Sequence, residues 1–490
     1  MTLPTDDDAA PPASRSQARS GWVVRLISWL FFFPLTLLAL LGGGVVGVTL
    51  YPPDLTPYHQ DLARFLTEQT GLRVSLTGIE LETGLSLALV GTGVEIGDPE
   101  AGNLLFAAER MLLRVSPLLL VRGGLPMAIT LEKARATLRR DVQGRLHLGE
   151  RGLAESPASQ ENPIGMVLLN ALTVSDGELT WVDETVVDEG KPVRLRLTGI
   201  HARGFLESGP ARLTVEAALP DLGPQSRVFL NGERDAAQQW FMRVRGENWL
   251  LSSLRPYLVR APPLDGLTTP VDLVAEVSGG SLATLKVGWQ VTLGEGHLAW
   301  PALFRWPIPV TRLTARGRVE NTPAGWHVDV GQFALRSSHG QAEGKVLVTG
   351  IAGPGSPFMD LTAHASGNPA DKAKFYYPTP IMDPGLVNWL DNALKDGQVR
   401  QASAHIRGHL ANMPAGPKDP PQDRFHIEAD VTGLTLHYFP PFLPLRELST
   451  HVIFDRYSMT AQVADGSYGA TRKVKGEVKI TNMVDHPVVD

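Results

Sequence analysis

Thirteen histidines, 51 carboxylates and 45 Lys or Arg residues supply the reactive groups of this 490-residue chain, so their spacing decides what chemistry is open to it. His201, His297, His327, His339, His364 and His405 stand singly on strand-like or turn-like stretches. No HExxH occurs and no histidine pair falls at ligand spacing beside a carboxylate, so no metal site is expected. There is no cysteine, hence no thiolate nucleophile, disulfide or Cys-based metal site. Neither a GxSxG elbow nor a GxxxxGK[ST] loop is present. "SGGS" at 278–281 and "GIAGPG" at 350–355 do not open helices, so they read as turns and not as phosphate cradles. Asp183 with Glu184, and Asp188 with Glu189, lie in a loop-like stretch and read as solvated charge. Asp391 and Lys395 stand at i, i+4 on a helix, ordinary surface support worth a few tenths of a kcal/mol. Trp181, Trp300 and Trp389 fit a ligand groove and sheet packing equally well. Nothing assembles a nucleophile, a base and an oxyanion site, so the expectation is a protein that is not an enzyme and needs no cofactor. A net charge of −6 without a basic stripe argues against nucleic acid as a partner.

The elements that carry these residues begin with a membrane anchor. From Leu26 to Pro53 no residue is charged. About 25 residues at ~1.5 Å each span roughly 38 Å, enough for a bilayer core and too long for the apolar core of a cleaved signal peptide. Trp22, Trp29 and Tyr51 suit interfacial belts. Arg15, Arg19 and Arg25 precede the span, whereas Arg64 is the first Lys or Arg beyond it. That asymmetry predicts a cytoplasmic N-terminus with the rest of the chain on the far side. The expected organisation is a disordered tail over 1–25, a transmembrane helix over 26–50, a first β region over 51–150 and a linker over 151–163. A longer β region then covers 164–375, and a helix-plus-strand segment covers 376–490.

Beyond the anchor, "DLARFLTEQTG" predicts a short helix, and "NWLLSSLRPYL" at 248–258 a second. Elsewhere the period is two. Leu85, Leu87 and Leu89 alternate with Ser86 and Ala88, and Val94 and Ile96 alternate with Glu95 and Gly97. The pattern recurs in about two dozen short strands, consistent with 49 glycines and 38 prolines at turns. "SDGELTW" at 175, "GEGHLAW" at 294, "KDGQVRQ" at 395 and "ADGSYGA" at 464 share an acidic residue and a glycine at a strand start, one structural device repeated at irregular intervals. The fold class expected is mostly β: an elongated, curved antiparallel sheet, taco-like, with a few short helices. One face of such a sheet is apolar and the helices are too few to cover it. Either successive sheets pack as closed sandwiches, or the sheet curls around an apolar groove; on a membrane-tethered protein the groove's natural occupant is a lipid acyl chain.

The segment "DPGLVNWLDNALKDGQVRQASAHIRGHL" stands out as a helix inside this β chain. Asp383 is placed to cap it, Pro384 is at the first helical position, and Leu386, Trp389, Leu390, Ala393 and Leu394 form an apolar stripe. Gly397 is expected at C′, launching a strand with Ala402, Ala404 and Ile406 on one side.

Three stretches resemble a known superfamily. The anchor followed by "DLARFLTEQTGLRVSLTGIELETGLSLALVGTGVEIGDPE" and by a strand closing on "RDVQGRLHL" is similar to the start of AsmA-type proteins. "VSDGELTWVDE" is the second, and "FYYPTPIMDPGLVNWLDNALKDGQVRQASAHIRGHL" with "FHIEADVTGLTLHYFPPFLPLRELSTHVIFD" resembles the YhdP-like branch. The resemblance implies a Gram-negative inner-membrane protein, anchored through 26–50, whose periplasmic β-groove carries phospholipid acyl chains between inner and outer membrane. It would thereby support outer-membrane lipid homeostasis and barrier integrity. It implies no catalytic residue. Outer-membrane or periplasmic proteins are partners that it admits. YhdP-like chains are longer, so a partial chain is expected; about two dozen strands at ~4.8 Å give roughly 115 Å of groove. The residues expected to line it are Leu87, Leu89, Val94, Ile96, Leu179, Trp181, Leu195, Leu197, Leu298, Trp300, Ile406, Leu434, Leu436 and Tyr438. A second reading is a periplasmic scaffold or assembly factor for outer-membrane proteins that works through exposed strand edges.

Overall fold

The computed structural model describes residues 55–70, 72–82, 87–98, 103–115, 127–152, 169–206, 211–235, 239–258, 269–279, 286–299, 301, 304–351, 353–377, 379, 382, 384–413, 420, 422–439 and 441–481. The expected tail and transmembrane span lie outside these residues, as does 153–163 of the expected linker. Among the described residues no helix is long and apolar enough to cross a membrane.

Alternating Val, Leu and Ile with polar residues produces strands throughout, and 26 of them join one curved, hydrogen-bonded sheet. Most strands pair antiparallel with their successors in the chain, as in the run Ala211–Ala218, Arg227–Arg234, Trp240–Trp249, Val271–Gly279 and Lys286–Leu293. The expectation of a wholly antiparallel sheet fails at one join. The strand Leu169–Asp188 runs parallel to Met127–Glu132 and Arg135–Arg140. A parallel pair needs a crossover of a dozen or more residues, and the chain between Arg140 and Leu169 is long enough to make one.

The strands are not straight. Arg73–Ser75 and Gly78–Glu82 both pair with Leu87–Gly97, so they are two halves of one bent strand. Leu394–Lys395 and Gln398–His409 are likewise halves of one strand beside Arg424–Leu436. The bends carry left-handed backbone at Gly93, Lys133, Asp176, Gly199, Asn248, Asp396, Gly397, Gly433, Glu447 and Lys473. Through the register these positions lie side by side: Lys133 N–H donates to Ser175 O, and Glu178 N–H donates to Ala134 O. Together they form a crease that crosses the sheet. The acidic-Gly device read from the sequence sits on it, at Asp176–Gly177, Gly294–Glu295, Asp396–Gly397 and Asp465–Gly466.

At the crease the apolar alternation slips by three residues instead of two. Val174 is followed by Gly177, Leu197 by Ile200, Gly246 by Trp249, and Val431 by Leu434, and in each case the ladder registers a bulge. A slip of odd length would throw the second half of each strand to the opposite face. The extra residue absorbs it, so the apolar residues stay on one side through the bend.

Three cores sit on this line. Helix α1 (His59–Thr70) packs Leu62, Ala63 and Leu66 onto Leu76, Ile79 and Val94. The segment Leu251–Leu254 runs into α2 (Arg255–Leu258) and sets Leu251 on Val271 and Leu293. The 3-10 turn Ala370–Phe375, which precedes α3 (Pro384–Ala393), brings Ala370 against Val431, Leu434 and Leu448.

Two local expectations are corrected. Helix α3 buries Val387 and Ala393, while Leu386 and Trp389 are 43% and 42% exposed. The expected stripe includes Leu394, but Leu394 belongs to a strand and not to the helix; Trp389 donates its Nε1–H to Tyr438 O at 2.9 Å. Gly397 therefore lies beyond the helix end, in the crease at φ +79°. The proposed cap, Asp383, lies outside the described residues. Secondly, 183–188 is no loop but the end of a 20-residue strand. Asp183 is 1% exposed, accepting bonds from Thr185 N (2.9 Å) and Oγ1 (2.6 Å). Both bonds fall on Oδ1 while Arg140 Nη1 stands 3.8 Å from Oδ2, so local bonds and one cation together hold the carboxylate inside the sheet, which a pattern of charges does not reveal.

A Cβ at Gly397 would stand 2.8 Å from Leu434 Cα, whereas one at Gly190, also left-handed at φ +81°, meets nothing within 4 Å. Gly190→Ala is expected to cost about 1 kcal/mol for backbone conformation alone, and Gly397→Ala roughly twice that or more because the crease must also open. Urea midpoints compare them, and equal shifts would remove the crease from the account of stability.

Candidate functional site

Cross-strand register turns single-strand alternation into continuous rows. One row runs Met242, Val277, Val287, Val319, Val328, Val348 and Met359 across seven strands. Another runs Phe333, Gly344, Ala363, Ala404, Ile427, Phe454, Met459 and Ile480. The residues of the first row are half-buried: the sheet covers their flanks and none of the described chain closes over them. Trp289 stands opposite Gly317 and Phe333 opposite Gly344, each ring lying over the neighbouring glycine, where an added Cβ would come within 2.9 Å and 2.8 Å of ring carbons. Rings laid flat over glycines smooth the face and exclude water from the exposed backbone beneath.

The opposite face is charged. Arg212 pairs with Glu233 at 3.2 Å, Arg243 with Glu276 at 2.6 Å, and Arg407 with Asp360 at 3.8 Å. His451 Nδ1 lies 2.7 Å from Asp430 Oδ1, and His405 stands opposite His426. Such exposed pairs are worth about 0–1 kcal/mol each, so they solubilise one side more than they hold the sheet. Asp391 pairs with Arg305 at 2.9 Å, and Lys395 Nζ donates to the Asp391 carbonyl rather than to its carboxylate. Among the described residues no three His, Cys, Asp or Glu side chains converge as a metal would require.

The residues expected to line a groove fall into different places. Leu179 stands opposite Leu197 and Trp181 opposite Leu195, on one face beyond the crease. There Trp181 Nε1–H donates to Tyr257 Oη at 3.1 Å, so α2 lies over that short wall. Burial pushes the Tyr257 phenol pKa up. Val94 is fully enclosed, with Leu89 and Ile96 packed around it, under α1. Leu434 is enclosed beside Leu436, and Leu298 packs against the Val271–Leu293 core. Tyr438 stacks on Phe442 at 5.9 Å. Ile406 lies on the long face between Leu361 and Phe425. Leu87 pairs through its backbone with Val115, and Trp300 lies outside the described residues. The strongest part of the face, from Ala211 to Val348, was not singled out. Its signal was present as Val287, Trp289 and Val291 alternating with Gly288 and Gln290, but alternation alone does not say which row is roofed by a helix.

The "RDVQGRL" motif owes its pattern to one carboxylate. Asp141 is 5% exposed and accepts from Gln143 N at 3.0 Å, Arg145 N at 2.8 Å, Arg145 Nε at 2.8 Å and His147 Nε2 at 2.9 Å. Burial pushes its carboxyl pKa up, but the bonds from His147 and Arg145 outweigh that and hold it well below the usual range. A depressed folded pKa gives stability that is fully present above the unfolded value, about 3.9, and lost as pH falls through the folded one. Asp141→Asn is therefore expected to lower the urea midpoint at pH 7, with the gap to wild type closing below about pH 4; a gap independent of pH would refute the assignment.

Residues 280–490 match the family described as YhdP protein, a region that begins just before the strand Lys286–Leu293 and takes in the remaining rows of the long face. No curated protein matches the chain.

Proposed function

We propose, for a chain that is YhdP-like over residues 280–490 and on that ground assigned to the AsmA superfamily, that the long apolar face is a lipid-conducting groove. The protein would be tethered to the inner membrane and carry phospholipid acyl chains across the periplasm toward the outer membrane. The observation that carries this reading is the unbroken, half-exposed apolar row from Met242 to Met359 with charged pairs confined to the reverse side. Soluble proteins rarely leave a contiguous apolar surface of such length without an occupant. A protein partner would need matching pockets, whereas acyl chains need only apolar contact, at roughly 25 cal/mol for each Å² removed from water. The action is passive and non-catalytic: chains slide along rows of similar side chains while head groups stay at the wet rim. The Ala residues of the row Ala342–Ala365–Ala402–Ala429 keep that part of the face low, leaving room above it.

A photocrosslinker at Val244, on the apolar face, is expected to capture phospholipid in cells, and one at Arg243, its neighbour on the charged face, to capture little. Val244→Glu is expected to lower co-purifying phospholipid several-fold with little change in thermal midpoint. Equal capture at the two positions, or recovery of a β-barrel client in place of lipid, would overturn the groove in favour of strand-edge scaffolding.

A further inference from the structure

One side chain interrupts the apolar face. Along the strand Arg227–Arg234 the apolar side is taken by Val228, Leu230 and Gly232, and the next residue of that parity is Arg234. It stands opposite Ala211 on one neighbouring strand and Trp240 on the other, both on the apolar side. Among the described residues that pair across strands of the long wall between Ala211 and Ile480, Arg234 is the sole charged side chain with that parity. The other arginines nearby face the charged side and each has a carboxylate: Arg212 with Glu233, Arg227 with Glu216, Arg243 with Glu276. Arg234 has no carboxylate among the described residues. Its Nε is buried without a hydrogen-bond partner, and its guanidinium carbon stands 5.5 Å from the Trp240 ring centroid.

Burying a guanidinium is costly, and stacking on one ring recovers part of that cost. Position supplies the rest of the argument. Seven residue steps separate Arg227, beside the crease, from Arg234, at the rim; at ~3.3 Å each that is about 23 Å. One leaflet of acyl chain is about half of a ~30 Å hydrocarbon core, roughly 15 Å. The wall is therefore longer than such a tail by roughly 8 Å, so a lipid whose head group sits at Arg234 keeps its whole tail on the wall. The planar fork of an arginine matches phosphate oxygens in a two-point, charge-assisted contact.

We propose that Arg234 binds the phosphate ester of a membrane lipid whose acyl chains lie on the wall between it and the crease, with Trp240 holding the guanidinium in place. This rests on the groove carrying lipid, and the test separates the two ideas. The purified full chain in detergent is titrated with dioleoylphosphatidic acid and with dioleoylglycerol, which has the same tails and no phosphate. Wild type is expected to bind the phosphate-bearing lipid about tenfold more tightly. Arg234→Gln should erase that preference while leaving dioleoylglycerol binding unchanged, and Arg234→Lys should keep part of it. Should Arg234→Gln fail to fold by its thermal midpoint, Trp240→Leu serves in its place, with a smaller loss of the same preference expected. Wild type that binds neither lipid would remove the groove itself. Wild type that binds both alike, or Arg234→Gln that keeps the preference, would overturn the Arg234 assignment and leave the groove standing. Displacement of the phosphate-bearing lipid by inorganic phosphate alone would show a free-anion site and overturn the lipid source.

Discussion

Everything in this molecule depends on keeping one face of a very long sheet apolar while the sheet bends. Backbone hydrogen bonds demand an unbroken ladder, and side chains alternate with a period of two. At a bend that inserts one residue, a strand that kept strict alternation would turn its apolar side chains to opposite faces on the two sides of the bend. In strands that run through the bend the chain solves this with one extra residue in or beside a left-handed conformation, so that Val174 and Gly177, or Val431 and Leu434, share a side. Because neighbouring strands place the extra residue at neighbouring positions, the ladder bends as a unit and does not break.

The crease then decides where stability is concentrated. Two walls meeting at an angle enclose volume near their junction, and that is where Val94, Val271, Leu293 and Leu448 become fully buried. The few helices act as plugs at the same line, each covering a short stretch where the walls alone leave a gap. Away from the crease none of the described residues covers the long wall in this way, and its side chains stay half-buried. The same geometry that stabilises the fold leaves the described part of the long wall half-exposed and buries side chains along the crease. Arg234, stacked on Trp240 at that rim, places a charge on the apolar side among the described residues that pair across the long wall.

Much of this was legible in the residues. Alternation in "VDLVAEVSGG" and "TLKVGWQVTL" announces strands, and the acidic-Gly starts announce a repeated device whose purpose becomes clear only as the crease. Other elements were misread for identifiable reasons. Asp183 looked solvated because adjacent carboxylates usually are, yet Thr185 satisfies it locally. The stripe on α3 was drawn through Leu394, which the strand pairing with Leu436 takes away from the helix. Val94 and Leu434 have the right parity for a lining residue but lie at the crease, where α1 and the Ala370 turn enclose them. The parallel placement of Leu169–Asp188 has no local signature at all, since it depends on which strand a distant segment meets.

What the amino-acid sequence determined by itself was local: which residues form strands, which side of each is apolar, and where glycine and an acidic residue interrupt the alternation. These follow from periodicity and backbone preference, which act over a few residues. Only the tertiary structure decided that the interruptions align into one crease, that apolar sides from many strands join into continuous rows, and which parts of those rows a helix covers. Those outcomes depend on register between strands far apart in the chain, and register is set by the summed pairing of the whole sheet rather than by any one segment.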